Sequence, residues 1–192
     1  MPNDVLRGVV VFALLVGGTG LAAAQATTSR ETAIDLKACK IIKRHPDGNT
    51  WSCEGLPGYP VYYAEGDLRT FVSVGPGAGK RKAAEQTLGP FNSIFAGKTQ
   101  RAALEWRVTG DAKKPVPHAT ILRYFTRNDE GKGEVFVVMK VTPRETCQAA
   151  IIEAFSDPKA IDFAREVADD AARTFDCKSE PAEHRRGGKS PF

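Results

Sequence analysis

Four cysteines constrain the fold of this chain more than any other feature of its sequence: Cys39, Cys53, Cys147 and Cys177. In an oxidising compartment an even number of cysteines predicts two disulfides, which can be connected in three ways. A structural zinc site is the alternative. The spacing offers neither a CxxC pair nor a nearby pair of histidines, which such sites use. The sequence therefore predicts two disulfides, and the secondary structure predicted between the cysteines indicates which cysteines pair.

The first 26 residues have the pattern of a secretory signal peptide. A short start containing Arg7 precedes the apolar residues 9–16, and Ala22, Ala24 and Ala26 follow at the spacing of a cleavage site. The apolar run is too short to span a bilayer, and the glycines after it argue against an uncleaved anchor. We expect cleavage after Ala24 or Ala26, export to the periplasm or out of the cell, and no transmembrane segment.

The first two cysteines lie on a predicted β-hairpin within residues 36–53. The Asp47-Gly48 pair is a strong signal for the turn between its strands. Cys39 and Cys53 are equidistant from Pro46, so a hairpin centred there places the two cysteines opposite each other. The sequence therefore predicts a Cys39–Cys53 disulfide.

The other two cysteines lie at the ends of a predicted strand–helix unit. Residues 147–155 fit either element, because alanines favour helix and the isoleucines favour strand. We predict a strand, since a capping aspartate followed by proline opens a fresh helix just after it. The amphipathic helix over residues 158–175 would be about 27 Å long, which matches a nine-residue strand. Folded back, it brings Cys177 beside Cys147 and predicts the second disulfide.

The remaining segments predict a mostly antiparallel sheet. Alternating apolar residues indicate strands over residues 61–64, 68–74, 101–108, 118–127 and 134–141. The predicted fold class is α+β: an antiparallel meander of seven or eight strands, a long C-terminal helix packed on one face, and a short middle helix over residues 80–88.

The domain organisation is predicted to be simple. Residues 27–180 form a single disulfide-stapled domain, and their first few residues are polar and loose. Residues 181–192 form a disordered basic tail by composition. Residues 91–95 are apolar without a clear period, so they either fill one end of the core or form a contact surface.

Five short stretches of the chain form a recognisable set: Trp51-Ser52-Cys53-Glu54-Gly55, Gly58-Tyr59-Pro60-Val61-Tyr62, Glu65-Gly66-Asp67-Leu68-Arg69, Leu104-Glu105-Trp106-Arg107 and Ala119-Thr120-Ile121-Leu122-Arg123-Tyr124. With the Cys147 and Cys177 pair, they resemble a group of uncharacterised small exported proteins of alphaproteobacteria. The resemblance covers most of the chain after the signal peptide. It implies a strand at residues 147–154, where those proteins are richer in β-branched and aromatic residues. It implies no known activity, so no functional residue is carried over from it.

A charged sheet face is the strongest candidate for a functional site. If Leu104 and Trp106 point into the core, charged residues interleaved with Phe125 and Phe136 line the opposite face. Arginines beside aromatics suit carboxylates, phosphates or a protein partner, although an ordinary solvated face has a similar pattern. The candidate binding residues are Glu105, Arg107, Arg123, Arg127 and Lys140.

These observations predict an exported, non-catalytic binding protein rather than an enzyme. Its ligand would be a protein partner or an anionic ligand of the cell envelope, and an inhibitor-type module is one concrete form. The net charge of +4 is mild, and export argues against nucleic acid. No cofactor or metal is predicted, and the oligomeric state stays open.

An exported hydrolase is the alternative function. His118 is the most plausible catalytic histidine, but no G-x-S-x-G elbow accompanies it. A dispersed acid pair would have to come from Glu54, Glu65, Asp67 and Glu105.

The glycine-rich loop at residues 75–80 departs from a phosphate-binding loop. Val74 stands where the motif needs its first glycine, and Arg81 stands where it needs serine or threonine. An anion held by the start of the predicted helix, with Lys80, Arg81 and Lys82, is the weaker possibility.

Overall fold

The structure is a computed structural model that describes residues 26–185 and 190–191. The predicted signal peptide lies outside the described residues except for Ala26. Within the described part of the chain, no helix is long and apolar enough to cross a membrane.

The described residues form eleven strands and one broken helix. The strands are β1 Thr28–Asp35, β2 Lys40–His45, β3 Gly48–Leu56, β4 Tyr59–Gly66, β5 Arg69–Val74, β6 Phe91–Ser93, β7 Arg101–Thr109, β8 Val116–Asn128, β9 Gly131–Val141, β10 Thr146–Glu153 and β11 Ala182–His184. The helical segments are α1 Ala160–Asp169 and α2 Ala171–Thr174.

The strands divide between two sheets. The large sheet has the order β1-β7-β8-β9-β10-β11, with β6 paired beside β8, and only its β10–β11 pair is parallel. The small sheet is the antiparallel meander β2-β3-β4-β5. The turns between β2 and β3 and between β4 and β5 therefore lie at the same end of the small sheet.

The main core lies between the two sheets. Large side chains from both sheets fill it, and the fully buried ones include Tyr63, Val72, Trp106, Tyr124 and Met139. Alternate residues of β7 to β9 supply this core, as a period of two requires. The aromatic rings of Tyr63 and Phe95 lie 5.4 Å apart between the sheets.

A second core lies between the large sheet and the C-terminal helix. Four alanines spaced four apart form the buried stripe of this helix: Ala160, Ala164, Ala168 and Ala172. Small side chains let the helix axis approach the sheet closely. The large sheet is thus buried on both faces where the helix covers it, which explains why every residue of β10 is buried.

The predicted fold class is wrong. Strands make up 52% of the structure and helices 12%, so the protein is mainly β rather than α+β. The C-terminal helix spans 15 residues, as segments of 10 and 4 residues separated by Asp170, instead of a continuous 18 from Pro158. It breaks where α1 ends in two aspartates with no basic residue in its last turn, an unfavourable arrangement for the helix dipole.

The predicted middle helix is also wrong. Residues 80–88 contain only the end of one 3-10 turn, Ala78–Lys80, and a second turn, Lys82–Glu85. Arg81 between them is extended, with φ −94° and ψ 156°. Gly79 packs so closely on Tyr62 that a Cβ there would lie 2.9 Å from the ring, and this contact holds the segment against the small sheet.

Other segments are more ordered than their composition suggests. The polar residues near the N-terminus form β1, which pairs along its whole length with β7. Residues 181–192 are not a uniformly disordered tail, because Ala182–His184 form β11 beside β10. Ser190 is also buried, and its backbone N–H donates to Glu153 Oε1 at 2.7 Å.

The disulfides join the pairs that the sequence predicts. Cys39 and Cys53 are bonded, with their Cα atoms 4.4 Å apart, and tie the start of β2 to β3. Cys147 and Cys177 are bonded, with their Cα atoms 5.7 Å apart, and tie β10 to the segment after the helix. The ambiguous residues 147–155 form most of strand β10, as predicted.

Candidate functional site

The C-terminal helix covers half of the predicted charged face. We call the helix-facing side of the large sheet its outer face. Arg107 and Lys140 lie there beneath the helix, with side chains only 11% and 13% exposed. Lys140 Nζ donates to the carbonyl oxygen of Phe175 at 2.7 Å and pairs with Glu145 at 2.7 Å. These two cations therefore hold the helix on the sheet instead of facing solvent.

Arg107 makes a two-pronged ion pair with Asp169 of the helix. Its Nε donates to Oδ1 at 2.9 Å and its Nη2 to Oδ2 at 2.6 Å. The hydrogen bond to Asp169 raises the pKa of Arg107. Burial opposes ionisation of Asp169, but the bonds from Arg107 outweigh it and lower the pKa of that carboxyl. We call this contact the helix clamp.

Glu105 also supports the helix. Arg165 of α1 grips its carboxylate with Nε at 2.8 Å and Nη2 at 3.1 Å. Burial raises the pKa of Glu105, but hydrogen bonds from Arg165 and Ser29 bring it below its ordinary value. Three of the five predicted binding residues, Glu105, Arg107 and Lys140, are thus engaged in holding the helix to the sheet.

His118 belongs to the same clamp rather than to a catalytic triad. Its Nε2 lies 3.2 Å from Asp169 Oδ1, and its Nδ1 is buried with no hydrogen-bond partner among the described residues. The nearby hydroxyl of Ser29 donates to Glu105 and accepts from Arg107, so it does not bond to the histidine. Burial, and then the charge of Arg173, lower the pKa of His118.

The predicted acidic residues do not come together in one place. Glu54, Glu65 and Glu105 line three separate clefts. Asp67 pairs with Arg69 in the turn between β4 and β5. A pair of carboxylates acting across one glycosidic bond would need two of these groups in a single cleft.

The uncovered half of the outer face forms a groove of about 430 Å³, the outer-face groove. Arg123 lies here with its side chain 51% exposed and its guanidinium 5.0 Å from the centre of the Phe136 ring. Each arginine lining this groove already has a carboxylate partner: Arg101 with Asp35 at 3.9 Å, Arg123 with Glu134 at 3.2 Å and Arg165 with Glu105 at 2.8 Å. The positive charges of this groove are therefore already paired with carboxylates of the protein, which leaves them less able to bind an anionic ligand.

A second cleft, of about 560 Å³, opens at one end of the two-sheet sandwich; we call it the end cleft. The turns of the small sheet form one wall, and β6 with the ends of β8 and β9 forms the other. The residues of its walls that carry charge are Asp47, Glu65, Arg69, Arg127 and Lys132.

Arg127 and Lys132 stand directly opposite each other on β8 and β9. Both are exposed, and neither has an ion-pair partner in the part of the chain that the structure describes. Like charges in directly opposed positions destabilise an antiparallel pair. On the other side of β8, Arg127 pairs with Phe91 of β6. The row of two cations and an aromatic ring thus crosses three strands at the mouth of the cleft.

Two large apolar side chains stand exposed in the same cleft. Phe91 is 39% exposed, with the Arg69 guanidinium 5.5 Å from its ring centre, and Leu68 is 68% exposed. Leu68 has φ +58°, a left-handed conformation that favours glycine. A strained position that keeps a leucine in solvent is typical of a functional site rather than of a turn selected for stability.

The glycine-rich loop does not present an anion site. Arg81 donates to the carbonyl oxygens of Pro76, at 2.7 Å, and Pro143, at 2.9 Å, so it ties two loops together. Lys82 donates to Ser179 at 3.2 Å. The following 3-10 turns are too short to have the N-terminal dipole of a helix.

The described residues contain no cluster of side chains that could bind a metal ion. They contain no group of three histidine, cysteine or acidic side chains that could hold an ion, and their four cysteines are all in disulfides.

Comparisons of the chain with protein-family models, with curated proteins and with solved structures give no match. What the protein does must therefore follow from the geometry of its own clefts.

Of the predicted binding residues, only Arg127 lies in the end cleft. Lys132, Asp47 and Leu68 were missed, because nothing in the sequence shows that two hairpin tips meet the end of β8. Residues 91–95 were predicted either to fill one end of the core or to form a contact surface. Ile94 and Phe95 are buried in the core, whereas Phe91 is exposed, so a contact role for Phe91 stays a prediction.

We expect the helix clamp to be worth far more stability than an exposed ion pair. Arg107→Met should lower the free energy of unfolding by about 3 kcal/mol, because it leaves the partly buried carboxylate of Asp169 without its arginine. Arg123→Met, which removes an exposed arginine from the same face, should cost less than about 1 kcal/mol. Urea denaturation of both variants measures the difference, and equal losses would contradict the role of the clamp.

We also expect stability to fall on mild acidification because of His118. Its folded pKa lies below that of the unfolded chain, so the unfolded state binds more protons between the two values. The stabilisation is complete above about pH 6.5 and is lost as the pH falls through the folded pKa. Unfolding between pH 7.5 and 5.5 should show a smaller loss for His118→Gln than for the wild type. His45→Gln, in an exposed turn, should keep the wild-type slope; an unchanged slope in His118→Gln would refute this origin.

Proposed function

We propose that this chain is an exported, non-catalytic binding protein that holds an anionic ligand in the end cleft. Two disulfides and the lack of a membrane-spanning helix in the described residues are compatible with export to an oxidising compartment. The ligand would be a component of the cell envelope, in line with the signal peptide that the sequence predicts.

One observation carries this proposal: Arg127 and Lys132 face each other, and no carboxylate within residues 26–185 and 190–191 pairs with either of them. Their repulsion is a cost that the folded protein bears and that a bound anion would relieve. A phosphate or carboxylate between them would accept hydrogen bonds from both cations. The arginines of the outer-face groove have no such need, because each already has an acidic partner.

The exposed apolar side chains of the cleft suggest that the ligand has an apolar part as well. Leu68 and Phe91 lie beside the cations, and burying either of them would release about 25 cal/mol for each Å² of apolar surface. A ligand with an anionic head and an acyl chain satisfies both features. An amphiphile with an anionic group in its head is therefore the class of ligand that the cleft fits best.

The two alternatives receive less support. A hydrolase would need a nucleophile beside His118, or two of the four predicted acids (Glu54, Glu65, Asp67 and Glu105) in one cleft, and the described residues bring neither together. A protein partner, or an inhibitor-type module, would use the outer-face groove, where Arg123 is exposed beside the half-buried Phe125 and the buried Phe136.

The proposal predicts that the oxidised protein binds monomeric dihexanoyl phosphatidylglycerol, measured by isothermal titration calorimetry. The double variant Arg127→Gln, Lys132→Gln should bind it at least tenfold more weakly, since a charge-assisted hydrogen bond contributes about 1.5–3 kcal/mol. Salt should weaken wild-type binding.

The matched control is Arg101→Gln with Arg123→Gln, which removes the same charge from the outer-face groove. Its affinity should equal that of the wild type. Loss of binding in this control alone would move the site to the groove, and no binding by the wild type would contradict the proposal.

A further inference from the structure

The end cleft has a second charged wall, which comes from the small sheet and carries two carboxylates; the arginine of that wall, Arg69, pairs with Asp67. Asp47, in the turn after β2, and Glu65, near the end of β4, come from the small sheet. The free cations, Arg127 and Lys132, come from the large sheet. The two sheets therefore bring unpaired charges of opposite sign to the two sides of one opening.

Neither carboxylate of this wall is neutralised by a lysine or an arginine within residues 26–185 and 190–191. The nearest basic group to Asp47 is the ring of His45, with Nδ1 at 3.5 Å from Oδ2. Glu65 accepts a hydrogen bond of 2.6 Å from the hydroxyl of Tyr63. Burial, and then this bond to Glu65, raise the pKa of Tyr63, so its phenol keeps the proton that it donates.

Free charges of opposite sign would attract each other if the cleft allowed them to meet. Among the described residues no ion pair joins them, and they belong to different sheets with the main core between. A ligand that carries both signs can satisfy both walls at once. A ligand with only an anionic head would satisfy one wall and be repelled by the other.

We infer that the end cleft binds a zwitterionic amphiphile with a phosphate and a primary ammonium in its head, such as a phosphoethanolamine lipid. The phosphate lies against Arg127 and Lys132, the ammonium against Asp47 and Glu65, and the acyl part against Leu68 and Phe91. This inference rests on the proposed function and adds the cationic half of the ligand.

The chemistry of the walls selects each half of this head group. Two opposed cations suit a phosphate, whose several oxygens can accept from both at once. The acidic wall offers carboxylate oxygens, which need a donor with N–H groups. A quaternary ammonium has none and is usually bound by a cage of aromatic rings, which this wall lacks.

The test compares three monomeric dihexanoyl lipids with ethanolamine, glycerol and choline heads, titrated into the oxidised protein by calorimetry. The ethanolamine lipid should bind at least tenfold more tightly than either of the others. The choline lipid has the same charges but no N–H donor, so its weaker binding isolates the hydrogen bonds to the carboxylates.

The double variant Asp47→Asn, Glu65→Gln should lose this preference and bind the ethanolamine and glycerol lipids alike. The control Glu166→Gln with Asp170→Asn makes the same change of charge on the exposed side of the helix, and it should keep the preference. Thermal melting of both variants verifies that they fold.

The outcomes separate this inference from the proposed function. Equal affinity of the wild type for the ethanolamine and glycerol lipids would overturn the inference and leave the anion site standing. A preference that survives in the Asp47→Asn, Glu65→Gln variant would overturn the role of the acidic wall. Binding of no lipid by the wild type would overturn both.

Discussion

The ion pair between Arg107 and Asp169 fixes the C-terminal helix on the outer face of the large sheet, and much of the structure depends on it. It fixes a short helix over β7, β8 and β9, with Lys140 and the Cys147–Cys177 disulfide holding the far end. The alanine stripe of the helix can then pack closely on the sheet. The charged side chains on that face therefore hold the helix to the sheet. Because they are paired and partly buried, they are not available to bind a ligand.

The end cleft shows the opposite use of charge. There the two walls come from different sheets, no helix of the described residues lines the opening, and no ion pair among those residues joins the charges of the two walls. A protein that keeps Arg127 beside Lys132, and a leucine at a position suited to glycine, forgoes stability at one place. A binding site accounts for that loss of stability, because a bound ligand would pair with the two cations and cover the leucine, and so stabilise the folded protein.

The sequence predicts local elements well and their assembly poorly, for physical reasons. The symmetry of Cys39 and Cys53 about Pro46 and the strand character of residues 147–155 are local signals, and both lead to observed structure. Apolar and polar residues alternate in the same way around Arg107 and around Arg123. Only Arg107 is buried, because the helix covers it, and the position of the helix depends on contacts that are distant in sequence, such as the Cys147–Cys177 disulfide. A meander pattern also looks the same for one sheet or for two, so the cleft between their ends has no sequence signature.

The most direct measurement is a map of backbone amide shifts in the oxidised protein during titration with dihexanoyl phosphatidylethanolamine. We predict that the largest shifts lie at Asp47, Leu68, Phe91, Arg127 and Lys132, and that Arg101 and Arg123 stay unchanged. Shifts centred on Arg101 and Arg123 would contradict the account, because they would place the ligand on the face that we assign to cohesion. An unperturbed spectrum at millimolar lipid would contradict it equally.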